Sequence, residues 1–217
     1  MIISPSDIQN TKVDLTLVST VLVVSNLVSH QLNKSNLFDE SWQNSAVATL
    51  LGFTLHGLLT NKLTSMVNKS LCIKNKALAI SVADFFKFGT VFVAQRAIGN
   101  YIENKPIVFD QNWAMSSGLV IAGYTAFNFI ENMVPRVNKK HQPLLNDLIK
   151  VSMGALASNY FMDGTITNGH LMSLVATLAG FSAFHLLTKR FVVKKEKFSE
   201  QGGYSILPVE NMYHGRN

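Results

Sequence analysis

Cysteine is all but missing from this chain. Cys72 stands alone in 217 residues, which excludes an intrachain disulfide and any multi-cysteine zinc site and leaves an ordinary free thiol. Charge is scarce as well: charged residues make up 15% and hydrophobic residues 47%, where soluble domains carry roughly 25% charged. A soluble helical array would need a charged stripe along every helix, and the apolar segments here have none. Acidic residues are the rarer sign, 13 against 19 basic ones, for a net charge of +6. The chemistry motifs are missing too. There is no phosphate loop, nucleophile elbow, His-Glu-x-x-His helix or spaced carboxylate pair, so neither an enzyme nor a cofactor or metal site is expected. No cleavable signal peptide is expected either: Met1 to Lys12 holds one lysine and no small-x-small site follows the first apolar run, which should remain as a span.

What the chain does have is self-similarity. Three segments begin at Asp14, Asp84 and Asp147, reading DLTLVSTVLVVSNLVSHQL, DFFKFGTVFVAQRAIGNYI and DLIKVSMGALASNYFMD. Each is followed by a polar break and a second apolar segment: LLGFTLHGLL, IAGYTAFNFI and LAGFSAFHLL, with Gly52, Gly123 and Gly180 in register. An aromatic follows each glycine (Phe53, Tyr124, Phe181), then a small hydroxyl residue (Thr54, Thr125, Ser182). The first two breaks also match, as FDESW and FDQNW, whereas the third is the shorter DGTITNGH.

The expected fold is therefore an all-α membrane protein, six transmembrane helices arranged as three repeated helical hairpins. The hairpins cover 14–67, 84–137 and 147–192, between an N-terminal tail (1–13) and a basic C-terminal tail (193–217). Odd helices should run from about Leu15, Phe85 and Leu148, and even ones from about Ser45, Ala114 and Leu171. Most stretches come to about 17 to 20 residues, near the minimum for crossing hydrocarbon; the fifth is shorter, roughly 15 before Asp163. Asp39, Asp110 and Thr167 or Asn168 are the expected N-caps of the even helices, and Trp42 and Trp113 then fall near the interface. Small-xxx-small pairs suited to close helix packing occur at Ala48/Gly52, Gly118/Ala122, Gly154/Ser158 and Ala176/Gly180.

Orientation follows from the basic residues. Outside the spans, fourteen lysines and arginines lie in the tails and inter-repeat loops, against two in the hairpin turns, Lys34 and Lys105. The positive-inside rule then puts both termini on the cytoplasmic face. The same placement accounts for the basic balance without a nucleic-acid partner.

Polar residues inside spans are the default functional candidates, because burying them costs free energy unless they are paired. Asp84 with Lys87, and Asp147 with Lys150, stand three residues apart at the expected inner ends of odd helices, reading as self-neutralising ion pairs or as part of an ion pathway. Ser25-Asn26, Gln95-Arg96 and Ser158-Asn159 occupy equivalent mid-helix positions and could converge around a pseudo-threefold axis, as interhelical glue or as a hydrated anion site at Arg96. His56 and His185 differ in repeat position, which disfavours a shared metal and favours packing roles. In the C-terminal tail, Tyr204, Ile206, Leu207, Val209 and Tyr213 offer apolar surface for docking on a partner; a disordered end is the other reading.

Three two-helix repeats with Asp-x-x-Lys invite comparison with mitochondrial carriers, but those motifs end odd helices and contain proline, whereas these begin them and lack it. The segments TVLVVSNLVS (Thr20 to Ser29), LLGFTLHGLL (Leu50 to Leu59) and LAGFSAFHLLTKRFV (Leu178 to Val192) make the chain resemble the small multi-spanning membrane proteins of large nucleocytoplasmic DNA viruses. The resemblance implies a virion inner-membrane component whose loops or tail touch capsid proteins. The expected function is then a structural multi-pass membrane protein linking a bilayer to a protein layer, with other membrane or capsid proteins, or further copies of itself as a homo-oligomer, for partners. The alternative is a channel or small-solute transporter with a polar site at mid-membrane.

Overall fold

The structure is a computed structural model that describes residues 5–34, 36–60, 66–67, 69–138 and 141–195. It is all-helical, with no strand among the described residues. Six helices follow in order among the described residues: α1 (Pro5–Asn33), α2 (Glu40–Leu55), α3 (Lys76–Ile102), α4 (Gln111–Ile130), α5 (Gln142–Asp163) and α6 (Asn168–Lys195). A π turn, His56–Thr60, prolongs α2, and a 3-10 turn, Glu131–Met133, follows α4.

The helix starts are written locally. Asp39 and Asp110 accept from the backbone N–H of Trp42 and Trp113, each at 2.8 Å, and Asn75 caps α3 through the N–H of Leu78 at 3.1 Å. Each such bond satisfies a donor that the first helical turn leaves without a partner. At α6 the cap is Thr167, whose Oγ1 accepts from His170 N–H at 3.3 Å while the ring Nδ1 of His170 accepts from Thr167 N–H at 3.3 Å. Gly164 ends α5 with φ of 69°, a left-handed conformation that glycine adopts without a Cβ clash.

The odd helices begin earlier than expected, at Pro5, Lys76 and Gln142 rather than near Leu15, Phe85 and Leu148. The reason is that Asp14, Asp84 and Asp147 are buried in helix interiors instead of marking the boundary with water. Helix α5 accordingly has 22 residues, a length of about 33 Å at 1.5 Å per residue. Among the described residues, three segments are long and apolar enough to cross a membrane: Ile8–Leu32, Lys76–Ile102 and Asn168–Thr188.

Each helix packs on the next in sequence and α6 returns to α1, so the six close into a ring. The broadest interfaces are α1/α6, α4/α5 and α2/α3. Glycine sets their closeness. A Cβ on Gly52 would lie 3.0 Å from the Cα of Val91, on Gly123 2.6 Å from that of Gly154, and on Gly180 2.7 Å from that of Val21. Val21, Val91 and Gly154 each stand seven residues after the aspartate of their helix, so the three seams meet at matching heights. The Gly118/Ala122 pair takes no part: nothing lies within 4 Å of where a Gly118 Cβ would be, and Ala122 is exposed. Its neighbour Gly123 makes the contact, because a one-residue step turns the helix face by about 100°.

The interior mixes an apolar core, Val18, Phe53 and Val91 among it, with buried charge, and bulky apolar side chains also face outward. Phe85, Phe129, Phe161, Val175 and Leu186 are exposed, while Asp14, Asp84, Asp147, Lys87, Lys150, His56 and His185 are buried.

Candidate functional site: a buried charge belt and an outer polar cleft

Three aspartates in three odd helices anchor the belt. Lys87 of α3 donates to Asp14 of α1 at 2.7 Å, with 10% and 5% of the two side chains exposed. Lys150 of α5 donates to Asp84 of α3 at 2.5 Å, both side chains 4% exposed. Each lysine therefore serves the aspartate of the preceding odd helix, not the one three residues earlier in its own. The expected same-helix pairs, Asp84 with Lys87 and Asp147 with Lys150, are replaced by interhelical ones. Buried between helices, a lysine has no headgroup zone to reach and takes the carboxylate facing it across the packing seam.

This handover leaves Asp147 over, because the residue that would continue the series, three after Asp14, is Leu17. His185 of α6 fills the gap, its Nε2 2.8 Å from Asp147 Oδ2. Asn128 of α4 ties the middle of the belt: its Nδ2 donates to Asp84 Oδ2 at 2.9 Å and to Ser81 Oγ at 3.3 Å, and its Oδ1 accepts from Lys150 at 3.3 Å. The Lys87 ammonium also lies 5.6 Å from the centre of the Phe53 ring, within cation–π range. Asn128 and His185 each follow the aromatic of their repeat by four residues. That shared offset, and the count of three aspartates against two lysines, were the signals in the sequence for these two partners.

The mid-helix polar residues do not converge. Gln95 donates to Ser45 at 3.2 Å in the α2/α3 seam, and Ser158 meets Ser116 at 3.1 Å in the α4/α5 seam. Ser25 turns back on its own helix, to the carbonyl of Val21 at 2.5 Å. One residue on, Asn26 and Arg96 reach outward to the hairpin turns. Asn26 Oδ1 accepts from Phe38 N–H at 3.1 Å. Arg96 donates from Nε to the carbonyl of Val108 at 3.0 Å and from Nη2 to Asp110 at 2.8 Å. Asn159 is half-buried on α5 and joins none of these bonds. Adjacent residues on a helix point about 100° apart, so equal spacing along three helices sends neighbouring polar groups to seams and turns rather than to one axis.

The turns they hold are built alike: Phe38 and Trp42 stack edge-on with ring centres 4.8 Å apart, as do Phe109 and Trp113 at 5.0 Å. Beside the second turn, α2, α3 and α4 enclose an open polar cleft of about 380 Å³ whose lining includes Arg96, Asn100, Glu103 and Trp113.

No protein-family model, curated protein or solved structure matches this chain.

Among the described residues, no three His, Cys, Asp or Glu side chains are grouped to hold a metal ion. The docking residues proposed for the tail, Tyr204, Ile206, Leu207, Val209 and Tyr213, lie outside the described residues. Chemically, the belt is an internal counter-charge system: each of its carboxylates meets a cation or imidazole from another helix, linking α1 to α3, α3 to α5 and α5 to α6.

Proposed function

We propose that this chain is a six-span integral membrane protein, built as three helical hairpins with both termini on the cytoplasmic face, whose role is structural. The observation that carries the reading is the pairing of two features: bulky apolar side chains point outward while five belt charges, from Asp14 to Lys150, are buried. Lipid, not water, is the solvent that rewards this distribution. A structural role, rather than transport, draws support from how the polar groups are used. The belt ions are paired across helices, and Gln95, Ser158, Asn26 and Arg96 are committed to seams and turns. The basic loops and the tail would then present the cytoplasmic face to a protein layer. The resemblance to viral inner-membrane proteins makes a capsid layer the proposed partner and the virion inner membrane the proposed location.

A channel or transporter is the second reading, favoured by the cleft at Arg96. Reconstitution into vesicles separates the two. Under the structural reading, the protein resists alkaline carbonate extraction and passes no small anion or cation above the empty-vesicle rate. A flux that Arg96→Ala abolishes, with folding intact, would replace the structural reading with transport.

A further inference from the structure

We propose that the cleft between α2, α3 and α4 holds the headgroup of one amine-bearing zwitterionic glycerophospholipid, of the phosphatidylethanolamine type, with its phosphate on Arg96 and its ammonium toward Glu103. This rests on the membrane reading above.

Arg96 supplies the phosphate site. Two of its five guanidinium N–H groups are committed, to Val108 and Asp110, and the other three have no protein partner among the described residues. The side chain is 32% exposed, and it lines the cleft. A guanidinium fork with free donors suits phosphate oxygens, which it can bind with two parallel hydrogen bonds.

Local charge selects a zwitterion. Arg96 is paired with Asp110, and Glu103 with Lys105 at 2.6 Å, so the four groups sum to zero. A net-neutral site favours a ligand carrying one charge of each sign over a free phosphate dianion, whose second charge would find no match. Glu103 stands seven residues beyond Arg96, about 10 Å along the axis, so a phosphate and an ammonium can be met at different heights.

The cleft is also ordered by depth. Phe92 and Val120 line it on the side away from the hairpin turn, whereas Asn100, Glu103 and Trp113 line it near that turn. An indole at the level of the turn is where membrane interfaces favour one, and the apolar residues below would meet the start of the acyl chains. The cleft's 380 Å³ falls within the roughly 300–1,000 Å³ of small-molecule sites. At the position of Arg96 the other two hairpins carry Asn26 and Asn159, so this seam alone offers a cation there.

The test is native mass spectrometry of the full chain taken from bilayers of equal phosphatidylethanolamine and phosphatidylglycerol. The wild type should keep one phosphatidylethanolamine under detergent conditions that strip the rest. Arg96→Gln should cut that retention at least tenfold. Because Arg96 also holds the turn, a second variant, Ser117→Trp, fills the cleft without touching those bonds and should have the same effect at unchanged thermal stability. Full retention in folded Ser117→Trp would overturn the proposal. So would equal retention of phosphatidylglycerol, or displacement of the lipid by millimolar inorganic phosphate, which would assign the cleft to a soluble anion. Carbonate extraction of the same preparation scores the membrane reading separately: a protein that stays in the membrane but keeps no lipid sinks only this assignment.

Discussion

Lys150 shows what a single residue does in this bundle. Its ammonium is buried against Asp84 and Asn128, so removing it strands a carboxylate. Breaking a buried pair costs about 3–5 kcal/mol, whereas removing both partners in favour of apolar groups is often close to neutral. Lys150→Met should therefore lower the unfolding temperature in detergent sharply, and Asp84→Leu added to it should recover much of the loss. Equal stability of single and double variants would show that the pair is not coupled. Asp147 gives a second case. His185→Gln can still donate an N–H to Asp147 and should cost less than His185→Leu, which leaves the carboxylate without its partner; circular-dichroism melts in one detergent order the two. At this scale the sequence was only partly legible. Two Asp-x-x-Lys motifs read naturally as same-helix pairs, because three-residue spacing places side chains on one face. Which neighbour a lysine meets depends on how the helices are rotated and staggered, which spacing along one helix does not encode.

The seams belong to the scale of elements, and here the sequence was more informative. Gly52, Gly123 and Gly180 stood in register in the sequence, and all three lie at close interhelical approaches. Asp39 and Asp110, repeated before tryptophan, both cap helices. Glycine in such a seam is irreplaceable because a side chain would meet backbone, whereas a glycine facing outward has no such constraint. Gly123→Leu should therefore separate α4 from α5 and abolish a cooperative thermal transition, while Gly118→Leu, five residues away and open, should fold as the wild type. The hairpin turn between α3 and α4 depends on Arg96 in the same way. With its bonds to Val108 and Asp110 removed, Arg96→Ala should make the segment 103–110 several-fold more sensitive to limited proteolysis and leave the turn at Phe38 unchanged. What could not be read at this scale was the convergence expected of Ser25-Asn26, Gln95-Arg96 and Ser158-Asn159. Equal positions fix equal heights, but each adjacent pair straddles two helix faces, and the faces point to different neighbours.

At the scale of the whole molecule, the ring closes through contacts between successive hairpins more than within them. The belt reinforces that pattern, since its ion pairs join α1 to α3 and α3 to α5 across hairpin boundaries. A bundle held this way resists separation into independent helix pairs. The six crossings proposed for the helices place Cys72, in the α2–α3 connection, and the α3–α4 turn on opposite sides of the membrane. Cys72 is an exposed thiol, and Asn104 is exposed in that turn. The decisive measurement labels sealed, oriented vesicles with a membrane-impermeant maleimide, comparing the wild type with Cys72→Ser/Asn104→Cys. With six spans, the wild type is labelled only from the cytoplasmic side and the variant only from the opposite side. Labelling of both from one side would contradict the six-span arrangement and the orientation built on it.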